Sequence, residues 1–536
     1  MKVMLVYPND RMDSLIPVGV SVLSSHLKAA GHDVKLYDTT FYDTGKKTGD
    51  FFREDSGQVI KIDLKKYGVN RIKMDHEQLK KNFRKSVLDY KPGLIGFSTL
   101  EMTYDQGLEL VNVIKDVQIP KIFGGIYPTF APRIVLKEPS IDMICEGEGE
   151  ETLSELATSL EKGGDITKIL NLTMKKDGKI YRSGEIVKLG DLPTGDKIYE
   201  EDIGLRRPLI NMKDVLLFPD YSIYDDKRFW KKIGGKVVRA VAVELSRGCS
   251  FSCSFCCTPM LRHQHKVGRE KYSKFSNLEL SVLKEKDTFH REKPIDKFVV
   301  EIKESIKDYK INYVYFTDES FLSMSKERFQ EFIERYKKEI SLPFFIETRA
   351  ETVKPGYVKS LEEAGCDGIA IGIESGSLEI RKKLLKRFMS EDIIVNAFKE
   401  FENTKIRVST NNIIGFPFET REDIMQTVEI NRTINSDSVI VNAFRPYSGT
   451  ELRKICIESG LIRPEERAKD NREYGALNNG IMSSEEIEGI RKVFNLYVKF
   501  PKERWDEIRR AENNEELRKN LNKEYQKKNM LYRKKG

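Results

Sequence analysis

The sequence predicts an α/β protein in three parts. A doubly wound parallel sheet comes first, a partial (β/α)6 barrel second, and a small helical region at the C-terminus last. Three observations predict it. Short apolar runs of strand length alternate with segments whose apolar residues recur at steps of three and four. The alternation lapses over 166–235, where turn residues cluster (KKDGK, LGDLPTGD, FPDYSIYDD). It then resumes for a second array. Strict βα alternation calls for parallel strands with helices packed on the sheet faces.

In the first array, KVMLVY (2–7) reads as a buried strand. Val20, Leu23, Leu27 and Ala30 then form a helical stripe over 18–30, and DVKLYD (33–38) is the next strand. A polar helix near 77–89, strand 93–98, helix 104–117, strand 121–124, helix 130–138, strand 141–145 and helix 150–161 complete five units. Residues 41–75 are long for a connection and are expected to be a surface insertion. The 166–235 stretch reads as a connector with a small hairpin.

The second array opens with strand 237–245, followed by a charged insertion at 262–294 placed to cover the barrel mouth. Strands 312–317, 343–349, 368–373, 406–414 and 438–444 follow, interleaved with helices at 296–308, 325–338, 356–364, 377–387, 391–402 and 420–433. The expected division is 1–165, a linker at 166–235, 236–450, and a helical region at 451–536, where Ile487, Ile490, Phe494 and Tyr497 form an amphipathic stripe.

Of the 536 residues, 39% are apolar and 33% charged, which is globular; 92 basic against 84 acidic side chains leave a net charge of +8. Basic and acidic residues are mixed throughout, and aromatics are sparse in the Lys-rich tail, so no nucleic-acid surface is expected. No apolar run approaches the ~20 residues of a membrane span. The apolar run at Val3 to Tyr7 is too short for a signal-peptide core, and a cytoplasmic protein is expected.

The chemistry concentrates in one loop. After strand 237–245 comes SRGCSFSCSFCC, in which Cys249, Cys253 and Cys256 have the spacing C-x3-C-x2-C. Three thiolates on a short loop hold three irons of a cubane cluster and leave the fourth iron open to the amino and carboxylate groups of a small molecule. Structural zinc, with Cys257, His263 or His265 as fourth ligand, is the competing reading, but no distant CxxC completes it.

Strand ends carry the remaining polar candidates, and ligands in parallel α/β folds sit at those ends. In the first array these are Pro17, Val18 and Gly19; Ser98, Thr99 and Leu100; Gly124 and Gly125; and Glu146, Gly147, Glu148 and Gly149. There is no GxGxxG, so a dinucleotide is not expected. In the second they are Asp318 and Glu319, Glu347 and Arg349, Glu374 and Ser375, Asn411 to Gly415, and Arg445. Glu347 and Arg349, two apart on a strand, share a face. Acidic, basic and hydroxyl-binding groups converging on one mouth suit a ligand with an ammonium, a carboxylate and a ribose.

The cysteine spacing, with Phe255 as its aromatic, matches the signature of the radical S-adenosylmethionine (SAM) superfamily. The segments PVGVSVLSSHLKAAGHDVKLYD, KPGLIGFSTL, FGGIYPTFAPR and ICEGEGEETLSEL resemble the Rossmann-like cobalamin-binding domain of cobalamin-dependent radical SAM enzymes. The resemblance implies a [4Fe-4S] cluster on the three cysteines, SAM, and cobalamin at the first array's strand ends. It places Asp318 and Glu319 at the methionine amino group, Glu374 and Arg387 at the methionine moiety, Asn411 at the ribose, and Ile413 and the Phe255 backbone at the adenine. There is no D-x-H-x-x-G, so no histidine is marked as the lower cobalt ligand; His26 and His32 read as structural.

The implied activity is methyl transfer to an unactivated carbon of a small molecule, with a flavodoxin or ferredoxin as reductant. Oxidative ring cyclisation without methyl transfer and a non-catalytic cobalamin and Fe–S sensor are the alternatives. A methylthiotransferase is disfavoured, because residues 1–165 offer Cys145 alone for a second cluster.

Overall fold

Two sheets organise the chain. The computed structural model describes all residues except 10–13, 44, 46–52, 55, 60, 71, 198, 214–216, 277–288, 469–475 and 534–536. The first sheet comprises β1 (Lys2–Tyr7), β2 (Asp33–Asp38), β3 (Leu94–Ser98), β4 (Lys121–Gly124), β5 (Met143–Cys145), β6 (Leu172–Lys176), β7 (Lys179–Arg182) and β8 (Glu185–Val187). Their order is β8-β7-β6-β5-β4-β3-β1-β2. Strands β1 to β5 run parallel; β6 to β8 add on antiparallel. Val3 to Val6 are buried on both faces, as a strand between two helical layers requires.

The expected hairpin after residue 165 is therefore present, but it extends the first sheet rather than bridging two bodies. The single helix expected over 130–138 is two short ones, Ile126–Phe130 and Pro132–Lys137, because Pro132 starts a new helix. Strand order reverses between β1 and β3, and such a switch point opens a crevice at the strands' carboxyl ends.

The second sheet runs in sequence order: β9 (Trp230–Ile233), β10 (Lys236–Val243), β11 (Tyr313–Phe316), β12 (Phe344–Arg349), β13 (Cys366–Glu374), β14 (Arg407–Ile414) and β15 (Ser438–Ala443). After the antiparallel β9–β10 hairpin the other pairings are parallel, which gives the six expected barrel strands in an open half-barrel. Alternation along β12 buries Phe344, Ile346 and Thr348 beneath the helices and leaves Phe345, Glu347 and Arg349 on the inner face. Behind the sheet, Phe316 and Phe344 pack edge-on against Phe332 of helix Lys326–Glu339. Aromatic burial of this kind makes the outer layer a rigid support for the inner face.

Ile487, Ile490, Phe494 and Tyr497 of helix Ser484–Lys499 are buried against β15 and helix Arg421–Ile434, so the predicted stripe is a packing face. Within the 41–75 stretch, Ser56 and Gln58 are buried, so this part is more tightly held than a surface insertion. Gln58 accepts a hydrogen bond from the Val441 amide at 3.1 Å, at the barrel end opposite the cysteine loop. The stretch read as an insertion at 262–294 begins inside helix Thr258–Ser276, which leads straight out of the cysteine loop; part of it, 277–288, lies outside the described residues. No helix among the described residues is long and apolar enough to cross a membrane.

Candidate active site at the junction of the two sheets

A cavity of about 480 Å³ fills the crevice of the first sheet. Its wall is formed by Leu5, Val20, Leu23, Ile122 and Leu153, and its rim by Gly19, Ser98, Gly124, Gly125, Gly147, Glu148 and Gly149. Glycine is required at two of these turns. Gly125 has φ +103°, and a Cβ there would lie 2.5 Å from the Thr99 carbonyl oxygen; Gly147 has φ +94°. At Gly19 the space where a Cβ would stand is open. An apolar slot with bare backbone at its mouth fits a flat macrocycle with a buried tail.

Seven of the predicted cobalamin residues thus meet at one cavity, and five do not. Pro17 and Val18 lie outside its lining, with the Pro17 carbonyl oxygen accepting from the Tyr224 hydroxyl at 3.3 Å. Thr99 is buried behind the Gly124 turn, and Leu100 is exposed. Glu146 is fully buried away from the cavity. It accepts from Thr173 at 2.5 Å, from Arg182 at 3.1 and 2.8 Å, and from Arg206 at 2.6 Å. Burial opposes its ionisation, but the two guanidinium groups prevail and hold the carboxyl down at about 2. Glu146 is a structural ion centre.

Glu148 lines the cavity and also joins the two sheets. It accepts from Arg247 at 3.0 Å, from Arg291 at 2.7 and 3.0 Å, and from the Ile210 amide at 3.0 Å. Arg247 reaches Glu150 and Glu244 as well. Glu244 and Arg247, just before the cysteines, were not among the sequence candidates. Their position at the end of β10 was the available signal.

A second cavity, about 250 Å³, shares Gly125, Ile126, Gly147, Glu148 and Arg247 with the first and runs on to Gly248, Thr258 and Glu319. The two spaces adjoin, so whatever fills the glycine-rimmed crevice faces the cysteine loop. Gly248 turns that loop at φ +92°, where a Cβ would meet the Phe289 carbonyl oxygen at 2.3 Å. Arg262 donates to the carbonyl oxygens of Cys249 and Phe251 and to the Ser252 hydroxyl, closing the loop from the helix side. The Ser254 amide donates to the Leu385 carbonyl at 3.3 Å on the other side.

Cysteine chemistry differs along the loop. Burial raises Cys249, whereas hydrogen bonding with the Cys257 thiol, aided by Thr258, lowers Cys256 at the expense of Cys257. Arg349 donates to the Cys253 sulfur at 2.9 Å and stacks 3.8 Å over the Phe251 ring; Arg387 lies 3.8 Å from the same sulfur. Two guanidinium groups, from β12 and from the turn after β13, therefore converge on the one sulfur. Among the described residues no three His, Cys, Asp or Glu side chains surround a point as they would a single metal ion. A cubane asks for a wider set, one thiolate per iron.

On the inner face of the half-barrel the predicted SAM residues divide. Glu374 sits at φ +67°, past a register shift in the β13–β14 pairing, and folds back over Gly372 to lie 3.7 Å from Arg387. A non-glycine residue held there stores strain where a side chain must be aimed. Burial raises its carboxyl despite Arg387 and Arg349. Glu347 accepts from the Tyr315 hydroxyl at 2.6 Å. Asn411 and Ile413 alternate on the inner face of β14, and Ile413 packs with Phe255 and Phe416.

Asp318 and Ser375 are committed elsewhere. Asp318 accepts from the amides of Leu245 and Ser246 at 3.0 and 2.6 Å and from the Ser246 hydroxyl at 2.6 Å; burial lifts its carboxyl to about 7. It braces the strand end ahead of the cysteines, leaving Glu319, bound by the Gly248 amide at 3.2 Å, in the cavity. Ser375 accepts from the Ser377 amide within its own turn.

Two family models match where these sites lie: the radical SAM superfamily over residues 243–430 and the B12 binding domain over 58–157. The chain carries a radical SAM domain and a B12 binding domain. Among similar proteins, an uncharacterised methyltransferase of Pyrococcus horikoshii is 25% identical over 66% of this chain and 67% of its own. The cytidylyl-2-hydroxyethylphosphonate methyltransferase of Streptomyces wedmorensis is 21% identical over 89% and 85%. The radical SAM methyltransferase TsrM of Kitasatospora setae, solved with cobalamin and a [4Fe-4S] cluster bound, superposes with a TM-score of 0.59 at 18% identity. That match covers 85% of this chain and 78% of TsrM.

Proposed function

We propose that the protein is a cobalamin-dependent radical SAM methyltransferase acting on an unactivated carbon of a small molecule. One observation carries the reading: the glycine-rimmed crevice and the cysteine loop open onto each other through the shared wall at Gly125, Gly147 and Arg247. When bound, the cluster and SAM supply a carbon-centred radical, and the corrinoid supplies the methyl group.

The chain's own residues do the rest. Cys249, Cys253 and Cys256 hold the cluster, with Arg349 and Arg387 neutralising the Cys253 sulfur. Glu319 and Glu374 accept from the ammonium group of SAM, Asn411 takes its ribose, and Ile413 and Phe255 flank its adenine. Glu347 orients Tyr315 at the inner face. Gly19, Ser98, Gly124, Gly125, Gly147 and Gly149 let the corrinoid approach the backbone, while Glu148, Arg247 and Arg291 keep the two sheets in register. The reductant on this reading is a flavodoxin or ferredoxin, and the setting is cytoplasmic.

The deciding experiment is anaerobic turnover with product mass measured. A gain of one CH2 unit supports methyl transfer; a product short of hydrogen with no added carbon indicates oxidative cyclisation instead. Cys253→Ala is expected to lose cluster absorbance and all SAM cleavage; cleavage that survives refutes the cluster assignment.

A further inference from the structure

The turn behind the cysteine loop has features that the proposed reaction does not use. Between β13 and helix Glu391–Lys399 the chain makes a π-helical turn at Ile380–Leu384, a local form that concentrates at functional positions. Two residues later Lys386 adopts φ +55°, a left-handed conformation that is costly for a side-chain-bearing residue. The result is an abrupt division of neighbours. Arg387 and Met389 are buried, while Phe388 between them is 70% exposed. Lys382, Lys383 and Lys386 are exposed on the same segment, with Leu378, also exposed, just before it.

This surface is bonded directly to the cysteine loop. Ser254 donates through its amide to the Leu385 carbonyl and through its hydroxyl to the Leu384 carbonyl, at 3.3 and 2.5 Å. Arg387, next to Phe388, lies 3.8 Å from the Cys253 sulfur. A strained turn that buries a guanidinium at a cluster ligand and projects the adjacent aromatic into water is poorly explained by stability. Glu379 and Glu451 pair with Lys383 and Lys386, but the three lysines still outnumber them.

From this juxtaposition we propose that Leu378, Lys382, Lys383, Lys386 and Phe388 form the docking surface for the electron donor, an acidic protein carrier of one electron. The proposal rests on the function argued above and adds where the electron enters. Lysines steer an acidic partner and set the encounter rate, and Phe388 is the apolar anchor at the centre. The step is a single-electron transfer: the reduced carrier is oxidised by one electron, the cluster is reduced by one, and no bond or proton moves at the interface.

The test uses the cluster-loaded full chain with two reductants, a reduced flavodoxin and dithionite. Lys382→Glu/Lys383→Glu and Phe388→Ser should lower flavodoxin-driven deoxyadenosine formation at least about tenfold, the scale of electrostatic steering. Dithionite-driven formation should stay at the parent level. Anisotropy of labelled flavodoxin should show weaker binding by the variants, and parent binding that fades as salt rises. Equal losses with both reductants, or variants that bind and accept electrons from flavodoxin as the parent does, overturn the proposal. A change in sedimentation of Phe388→Ser from the parent's also overturns it, since the patch would then join copies of the chain. Failure of the parent to cleave SAM with dithionite would sink the reaction assignment instead.

Discussion

The Arg349 guanidinium stands 2.9 Å from the Cys253 sulfur and 3.8 Å above the Phe251 ring, tying β12 of the half-barrel to the middle of the cysteine loop. Its other edge is engaged by Glu351. Arg349→Lys keeps the charge but loses the planar fork and the stacking, so it is not a conservative change. The expected outcome is a cluster that still assembles, measured by iron and sulfide content, with deoxyadenosine formation down at least about tenfold, a lost charge-assisted contact of ~1.5–3 kcal/mol. Wild-type rates in Arg349→Lys would show that the contact is incidental.

Gly19 tests the crevice without straining the backbone. It lies in helix Val18–Ala29 with open space where a Cβ would stand, on the cavity's rim. Gly19→Leu should fold at least as well, because leucine is the better helix former by roughly 0.5–1 kcal/mol. Its side chain enters the space proposed for the corrinoid. Cobalt content after reconstitution should fall severalfold or more while iron content stays unchanged; full cobalt retention would move the corrinoid elsewhere.

What was legible in the sequence was whatever depends on local periodicity or local spacing. The six parallel barrel strands and the three cysteines belong here, since period, turn residues and thiol spacing are written in consecutive positions. Partners set by tertiary contact were not legible. Glu146 and Glu148 are two apart in one EGEG turn, yet Glu146 is enclosed by Arg182 and Arg206 while Glu148 faces the cavity and Arg247. Nothing in four alternating residues says which carboxylate turns inward. Asp318 and Glu319 show the same limit: adjacent acids, one spent on the Leu245 and Ser246 amides and one left in the cavity. The burial of Gln58 within the 41–75 stretch was not legible because its anchor, Val441, lies most of the chain away.

Glu146→Ala should therefore be a stability variant. It leaves the nearly fully buried Arg206 without its carboxylate and the equally buried Arg182 with Asp202 alone, at 3.5 Å, a loss on the order of 3–5 kcal/mol. The folded carboxyl is held down at about 2 against an ordinary 4.5, so its stabilisation is complete above 4.5 and is lost as pH falls towards 2. Melting temperatures should show a parent that weakens over that acid window and a Glu146→Ala protein that is already weak at neutral pH. A variant that melts like the parent would return Glu146 to the list of ligand contacts.

Glu419 gives the opposite sign. It is fully buried in the turn after β14, where one carboxylate oxygen accepts from the amides of Gly415 and Phe416 at 2.5 and 3.2 Å and the other has no partner. Burial pushes its carboxyl up from 4.5 to about 8. A raised acid favours the folded state while protonated, so the unfolded chain gains on it as pH rises from 4.5, and the penalty is complete above about 8. The difference is at most about 5 kcal/mol at ~1.4 kcal/mol per pH unit. Glu419→Gln keeps an oxygen for the two amides and has no charge to bury, although its amide nitrogen inherits the unpartnered position. The variant should be no more stable than the parent in acid and should overtake it on the alkaline side, the two melting curves crossing inside that window. Parallel pH profiles would mean that Glu419 ionises freely and that the turn holding Gly415 does not depend on its protonation.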